Sequence, residues 1–265
     1  MALGASTLLP VNAELGVLLA ALLIAATAVV ACCHLAPDTA THRARQVATA
    51  GLRAALQLAA VSFAIAWVVQ HPVATGAFIA LMLAVAVQTA RRRITSERRR
   101  SWTTAVPITA AVAPVVAALL ATGLVPFKGI VLIPVTGILI GGAMTATVLA
   151  GRRALAELAH RHGEVEAAIA LGFGTRDARL EIARPAASDA LLPGLDQTRT
   201  VGLVTLPGAF VGMLLGGASP VMAGAVQLFV LVALMAVQAV SVALTVELVA
   251  RGLLFRPSTA EGTGS

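Results

Sequence analysis

The sequence predicts an all-α integral membrane protein with about seven transmembrane helices and one long cytoplasmic loop. Three observations support this fold class: the composition, the length of the uncharged stretches and the distribution of arginine. Hydrophobic residues make up 58% of the 265 residues, 12% are charged, and the mean hydropathy is +0.92. Because a soluble domain has about half apolar and about a quarter charged residues, this composition excludes a soluble enzyme, a disordered chain and a secreted disulfide-rich protein.

The uncharged stretches set the number of helices, since a helix needs about 20 apolar residues to cross a bilayer. Two of these stretches, 54–90 and 200–246, are long enough for two helices each. Helix-breaking residues at 70–72 and 216–220 divide them. The predicted spans are 15–34, 51–69, 73–90, 104–123, 129–150, 200–217 and 221–250, within a single transmembrane domain that covers 1–265.

Arginine predicts the orientation, because positive residues of short loops stay on the cytoplasmic side. Arginines cluster at 43–53, 91–100, 152–199 and 251–256, whereas Lys128 falls on the opposite side. We therefore expect the amino terminus outside, the carboxyl terminus in the cytoplasm, and a multi-pass protein of the inner or plasma membrane.

The first 36 residues also resemble a signal peptide, with Val29-Val30-Ala31-Cys32 similar to a lipoprotein cleavage site. No Lys or Arg precedes Arg43, so the positively charged start of a signal peptide is missing. We therefore expect this segment to remain as a transmembrane helix.

The residue inventory excludes several chemistries. Lys128 is the single lysine and Gly129 follows it, so the chain has no phosphate-binding P-loop. The net charge is +7, but the chain has no tyrosine to stack on bases among its arginines, which argues against a nucleic-acid partner. Cytoplasmic loops beside the lipid bilayer explain the arginines better. Glu247 is the single acid in a predicted span and lies four residues before Arg251, which predicts an ordinary helical ion pair. The spans lack the acids that an ion-coupled pump or an intramembrane enzyme needs, so we predict no enzymatic activity.

The cytoplasmic loop 151–199 carries the most specific motif, within GEVEAAIALGFGTRDARLEIARPA (163–186). Its spacing matches the EAA---G---------I-LP motif of ATP-binding-cassette (ABC) permeases, with Arg184 in place of the usual leucine. The matching residues, which are the predicted sites of coupling to an ATPase, are Glu166, Ala167, Ala168, Gly172, Ile182 and Pro185.

These residues predict two short helices joined by a hinge. Strong helix formers occupy 165–171, Gly172 suits a helix end, Thr175 is expected to cap the second helix and Pro185 to end it. A short surface helix of this kind can insert as a rigid knob into a cleft on an ATPase. The alternative is an amphipathic helix on the inner leaflet.

Other segments resemble the FetB-type permeases, a family with a bacterial protein assigned to iron export and plant proteins linked to aluminium tolerance. The similar segments are RAALQLAAVSFAIAWVV (53–69), IPVTGILIGGAMTATVLAG (133–151) and LLPGLDQTRTVGLVTLPGAFVGMLLGGASPVMAGAVQ (191–227). The run 200–208 is the most distinctive. Relatives commonly carry Asn at the position of Gly142.

The resemblance implies that the chain is the transmembrane subunit of an ABC transporter that exports a metal, with iron as the expected metal. It implies no cofactor on this chain, with ATP and Mg²⁺ on a separate cytoplasmic ABC ATPase subunit. Two ATPase subunits close around two nucleotides and each chain has one coupling loop, so we expect a twofold homodimer. An ABC importer of another small solute and a non-transporting membrane scaffold remain the alternatives.

Residues of the translocation path are expected among polar, soft or helix-breaking side chains of the spans. Pro207 frees a carbonyl at membrane depth, a feature that often marks transport sites. The other candidates are Gln57, Thr136, Met144, Thr205, Met213, Gln227 and Gln238. Each methionine is also expected as core filler. Cys32, Cys33 and His34 are candidate metal ligands at the inner end of the first span, or simply the residues that end its helix.

Overall fold

A computed structural model of the chain describes residues 12–33, 40–95, 102–123 and 129–255, which are almost entirely helical. The helices are α1 (Ala13–Cys32), α2 (Ala40–Val68), α3 (Pro72–Ile94), α4 (Trp102–Ala121), α5 (Gly129–His160), α6 (His162–Ala170), α7 (Thr175–Ser188), α8 (Leu192–Thr200), α9 (Gly208–Leu215) and α10 (Pro220–Ala250). A 3-10 turn, Asp189–Leu191, joins α7 to α8. The predicted all-α fold class is confirmed.

Within the described ranges, six helices are long and apolar enough to cross a bilayer: α1, α2, α3, α4, α5 and α10. The chain is thus a multi-pass membrane protein. The predicted breaks at 70–72 and 216–220 are both present. Proline opens the helix that follows each break, Pro72 in α3 and Pro220 in α10, where its missing N–H removes no hydrogen bond.

The predicted span 200–217 is wrong as a single helix. The structure has α8 up to Thr200 and α9 from Gly208, with a non-helical link between them. In this link Gly202 adopts a φ of 82°, and Pro207 lacks the N–H that a continuing helix would use. These two residues break the helix although the stretch is apolar enough to span.

The segment from α7 to α9 runs along α10 in the opposite direction. Arg176 at the start of α7 contacts Glu247 near the carboxyl end of α10. Gly194 of α8 lies against Gln238, near the middle of α10, and α9 packs on α10 and leads into the turn before Pro220. The broken segment therefore follows α10 over most of its length without forming one continuous span.

Three helices extend beyond the predicted spans. α2 begins at Ala40, α3 continues to Ile94 and α5 continues to His160. The added segments are rich in Ala and Arg, which are good helix formers. The predicted loop 151–199 is consequently helical over most of its length.

The described helices form two compact units, of which α1 and α2 are the first. The two helices pack on each other, and Gly51 of α2 lies directly against the side chain of Leu23. Asn12 begins α1 by accepting a hydrogen bond from the backbone N–H of Leu15 at 3.0 Å. Within this unit α1 buries none of its side chains, as expected for a helix surrounded by lipid.

The second unit contains α3 to α10, and α5 and α10 form its core. α5 packs against α3, α4 and α7, whereas α10 packs against α4, α7, α8 and α9 as well as α5. Ala143, Ala150 and Ala154 of α5 are fully buried, and such small residues let membrane helices approach closely. The hydroxyl of Ser241 donates to the carbonyl of Pro107, at 3.2 Å, and joins α10 to α4.

Candidate functional site

α6 and α7 form a hairpin whose turn depends on one glycine. Gly172 adopts a φ of 96°, a left-handed conformation that favours glycine. The N–H of Phe173 donates to the carbonyl of Ala168 at 3.1 Å, and the N–H of Gly172 to that of Ile169 at 3.0 Å. This pair of bonds is a Schellman motif, so Gly172 ends α6 as its spacing predicts.

The turn presents apolar side chains to the surroundings. Leu171 is 81% exposed and Phe173 is 55% exposed. Together they form the hairpin tip. Exposed large apolar residues grouped at one point mark a surface that a partner covers.

A small apolar cluster holds the two helices of the hairpin together. Val165 of α6 and Ala178 and Ile182 of α7 are buried against one another, with Leu158 of α5 and Ala168 packed on them. The hairpin is therefore a rigid body attached to the end of α5.

Arg161 strengthens the attachment between α5 and α6. Its Nε donates to Oε1 of Glu164 at 2.6 Å, and its Nη1 lies 3.5 Å from Oε1 of Glu157. The hydrogen bonds from Arg161 lower the pKa of Glu164 below its usual range. The Glu164 carboxylate therefore stays charged in the first turn of α6, where the helix dipole favours a negative charge.

An ion-pair network ties α7 to the carboxyl end of α10. Arg176 donates from Nε and Nη2 to the two oxygens of Glu247, each at 2.8 Å. Arg251 donates to the same carboxylate at 2.6 Å, so the predicted ion pair with Glu247 is present within a larger network. Arg179 reaches the carbonyl of Ala250 at 3.4 Å. Because a two-point arginine–carboxylate pair has fixed geometry, it can pass a displacement of α7 to α10.

The six motif residues take different positions on this hairpin. Glu166 and Ala167 are exposed, Ala168 is half-buried, Gly172 forms the turn, Ile182 is buried and Pro185 is exposed. The exposed members lie on α6 and in the later part of α7, whereas Ile182 serves the packing of the hairpin itself.

Two local predictions about α7 are wrong. Thr175 does not cap the helix, because the N-cap residue is Gly174 and Thr175 is the first helical residue. Pro185 does not end the helix, which continues to Ser188. The proline leaves the carbonyl of Glu181 without its helical donor, and Glu181 is exposed, so the helix tolerates the loss.

Three predicted path residues are buried in the core of the second unit: Thr136 on α5, and Gln227 and Gln238 on α10. The hydroxyl of Thr136 and Oε1 of Gln227 have no hydrogen-bond partner in the described part of the chain. The same holds for the hydroxyl of Thr147, a buried residue that sequence reasoning missed. A buried polar atom without a partner costs about 1–3 kcal/mol. These oxygens therefore mark α5 and α10 as the candidate lining of a path.

Gln238 lies between two glycines from two other helices. A Cβ built on Gly194 of α8 would overlap the Gln238 amide, and one built on Gly142 of α5 would lie 3.6 Å from its Nε2 and overlap Leu234. The absence of a side chain at Gly194 makes room for the amide, and that at Gly142 makes room for Leu234, where α5, α8 and α10 meet.

The other predicted path residues do not lie where α5, α8 and α10 meet around Gln238. Gln57 is exposed on α2 in the first unit, Met144 packs on the core from α5, and Thr205, Pro207 and Met213 belong to the link and α9. Cys32 and Cys33 are exposed, whereas His34 lies outside the described residues. No group of three or more His, Cys, Asp or Glu side chains that could hold a metal occurs among the residues in the described ranges.

Sequence reasoning also missed Arg176 and Gly194. Arg176 and Glu247 are 71 residues apart, so no local pattern connects them. The sequence signal that could have indicated this contact was weak: Glu247 is a lone acid near the end of a predicted span, and the arginine-rich loop 151–199 lies on the same predicted side of the membrane.

The chain matches the model of a family described as Uncharacterised protein family (UPF0014) over residues 16–254. It is 36% identical over 191 residues to the UPF0014 membrane protein STAR2 of Oryza sativa subsp. japonica, a match that covers 71% of this chain and 67% of that protein. It is 33% identical over 181 residues to the Protein ALUMINUM SENSITIVE 3 of Arabidopsis thaliana, covering 68% of this chain and 66% of the relative. The chain thus spans about two thirds of the length of these plant proteins.

One bacterial relative is named for a transport activity, iron export. The chain is 31% identical over 129 residues to the Probable iron export permease protein FetB of Escherichia coli (strain K12), covering 47% of this chain and 48% of that protein. No solved structure matches the chain.

Proposed function

We propose a function from one premise: the chain belongs to the UPF0014 family of membrane proteins. The proposed function is that of the permease subunit of an ABC transporter, which uses ATP hydrolysis on a separate subunit to move a solute. The hairpin of α6 and α7 carries this proposal, because its buried cluster of Val165, Ala178 and Ile182 makes it rigid and its exposed tip residues, Leu171 and Phe173, suit an apolar cleft on a partner protein.

In the proposed mechanism the hairpin tip inserts into a cleft on the ATPase subunit. Closure of the ATPase around ATP and Mg²⁺ moves the tip, and α7 moves with it as a rigid body. The pair of Arg176 and Glu247 passes this movement to α10, which packs against the broken segment of α8 and α9. Discontinuous helices recur at transport sites, because their ends can shift relative to one another. Each chain supplies one hairpin, so two copies would serve a pair of ATPase subunits.

The proposed substrate is a metal cation, iron in the first place, moved out of the cytoplasm. Support comes from the relative named as an iron export permease and from the buried oxygen atoms of Thr136, Thr147 and Gln227. Neutral oxygens favour hard cations over soft ones, and they hold a cation weakly enough to release it. In this proposal the metal is the transported substrate, and the chain holds no permanently bound metal.

Co-purification with the ATPase subunit tests the coupling proposal. Changing both tip residues, Leu171→Glu and Phe173→Glu, is expected to abolish co-purification, because two charges cannot enter an apolar cleft without partners. The matched control is Ala156→Glu, an exposed position on the cytoplasmic end of α5 outside the tip. We expect the control to retain the ATPase. Recovery of the ATPase with the tip variant would contradict the proposal, and failure of the unaltered chain to recover any P-loop partner would favour a membrane scaffold.

Cellular iron content tests the proposed substrate and direction. Cells that lack the protein are expected to retain more iron than unaltered cells after iron loading. The measurement is total cell iron by mass spectrometry, with zinc and manganese as controls. Equal iron in both strains would remove the support for export, and lower iron in the strain without the protein would indicate import.

A further inference from the structure

A groove between α7 and α10 has no role in the coupling mechanism described above. Its volume is about 460 Å³. Leu180 and Leu191 line it from α7 and the 3-10 turn that follows it, and Val242 and Val246 line it from α10. Leu180, Val242 and Val246 are almost fully buried and form its floor, whereas Leu191, Ala239 and Ala243 supply the accessible apolar surface.

The guanidinium of Arg184 lies at the border of this groove. It is exposed and makes no hydrogen bond or ion pair with any residue in the described ranges. Glu247 is the acidic residue of the groove, but its carboxylate already receives Arg176 and Arg251. The groove thus combines an apolar surface with an exposed guanidinium at its rim.

The groove lies toward the carboxyl end of α10, between Ala239 and Glu247. α10 has 31 residues, whereas about 20 helical residues cross about 30 Å of hydrocarbon, so the helix is longer than the hydrocarbon requires. Glu247 and Arg251 are charged, which favours the carboxyl end as the part that projects. Since the arginine distribution predicts this end to be cytoplasmic, we expect Arg184 near the phosphates of the inner leaflet.

We propose that this groove binds an anionic phospholipid of the cytoplasmic leaflet. The acyl chain lies against Leu191, Ala239 and Ala243, and the phosphate accepts hydrogen bonds from the Arg184 guanidinium. Arginine suits this role because its planar fork matches phosphate oxygens, and basic residues between helices attract anionic lipid at this depth. A lipid bound here touches both α7 and α10, the two helices joined by Arg176 and Glu247, and so links the lipid composition to the position of α7.

Lipid titration of the purified full chain tests this site without an ATPase subunit. The delipidated protein in detergent is titrated with phosphatidylglycerol or with phosphatidylcholine, and bound lipid is counted by native mass spectrometry. We expect one phosphatidylglycerol per chain to bind about fivefold more tightly than phosphatidylcholine, as expected for one basic residue at the surface. Arg184→Gln should remove this preference, and Arg184→Lys should keep part of it.

Two further variants separate the groove from general surface charge. Arg152→Gln changes another exposed arginine, on α5 outside the groove, and should leave the preference unchanged. Ala243→Phe fills the groove while Arg184 is intact and should weaken binding of both lipids. The proposal is overturned if the unaltered chain binds both lipids equally, or if Arg184→Gln keeps the preference for phosphatidylglycerol. Equal thermal unfolding of the variants confirms that each is folded.

Discussion

Arg176→Ala is expected to reduce solute transport by about tenfold while leaving the ATPase subunit bound and active, since coupling through one contact is worth about 0.5–2 kcal/mol. Arg176 forms the bidentate contact between α7 and the end of α10 and does not belong to the hairpin tip. Its loss should therefore leave docking intact and remove the path by which the tip moves α10. The measurement is the ratio of transported solute to hydrolysed ATP in reconstituted vesicles.

The matched control for this experiment is Arg153→Ala. Arg153 pairs with Asp189 at 2.6 Å, also between two elements of the second unit, but it does not join α7 to α10. Arg176 and Arg153 are each about half-exposed, at 46% and 53%, so neither change should lower the stability much. Loss of ATPase binding in Arg176→Ala, or equal loss of transport in both single variants, would show that the contact has no specific coupling role.

Gly194→Leu is expected to destabilise the protein by about 1–3 kcal/mol, the usual cost of overfilling a packed interior. The new side chain would occupy the place of the Gln238 amide, which has Gly142 near it on α5. The amide is buried, so it has little room to move aside. Transport should fall as well, because α8 would be pushed away from the α5–α10 core. Thermal unfolding in detergent measures the loss of stability.

A second substitution makes this prediction specific. Gln238→Ala removes the obstructing amide, so the double variant Gly194→Leu with Gln238→Ala should regain stability relative to Gly194→Leu alone. Gly212→Leu is the control, since it adds the same side chain on α9 at an exposed position with no atom near the new Cβ. Gly212→Leu should leave stability nearly unchanged. If the double variant is less stable than the single one, Gln238 is not the residue that Gly194 accommodates.

The broken segment illustrates where sequence reasoning succeeds and fails. The apolar stretch 200–217 has the hydropathy of a span, and the chain does follow α10 there, but as α8 and α9 with a link between them. Pro207 and Gly202 are visible in the sequence, yet proline and glycine also occur inside membrane helices. α4 contains Pro107 and Pro114 and remains one helix. Whether such a residue breaks a helix depends on the neighbouring helices that satisfy the freed backbone groups.

Local properties of the chain were sufficient for the membrane fold class, for six of the spans and for the left-handed turn at Gly172. Hydropathy, helix propensity and backbone freedom act within a few residues, so they can be read along the sequence. The contact of Arg176 with Glu247, the place of Gln238 between Gly142 and Gly194, and the groove beside Arg184 required the packed helices. Each depends on side chains from distant parts of the chain, and only helix packing decides which of the many possible pairs meet.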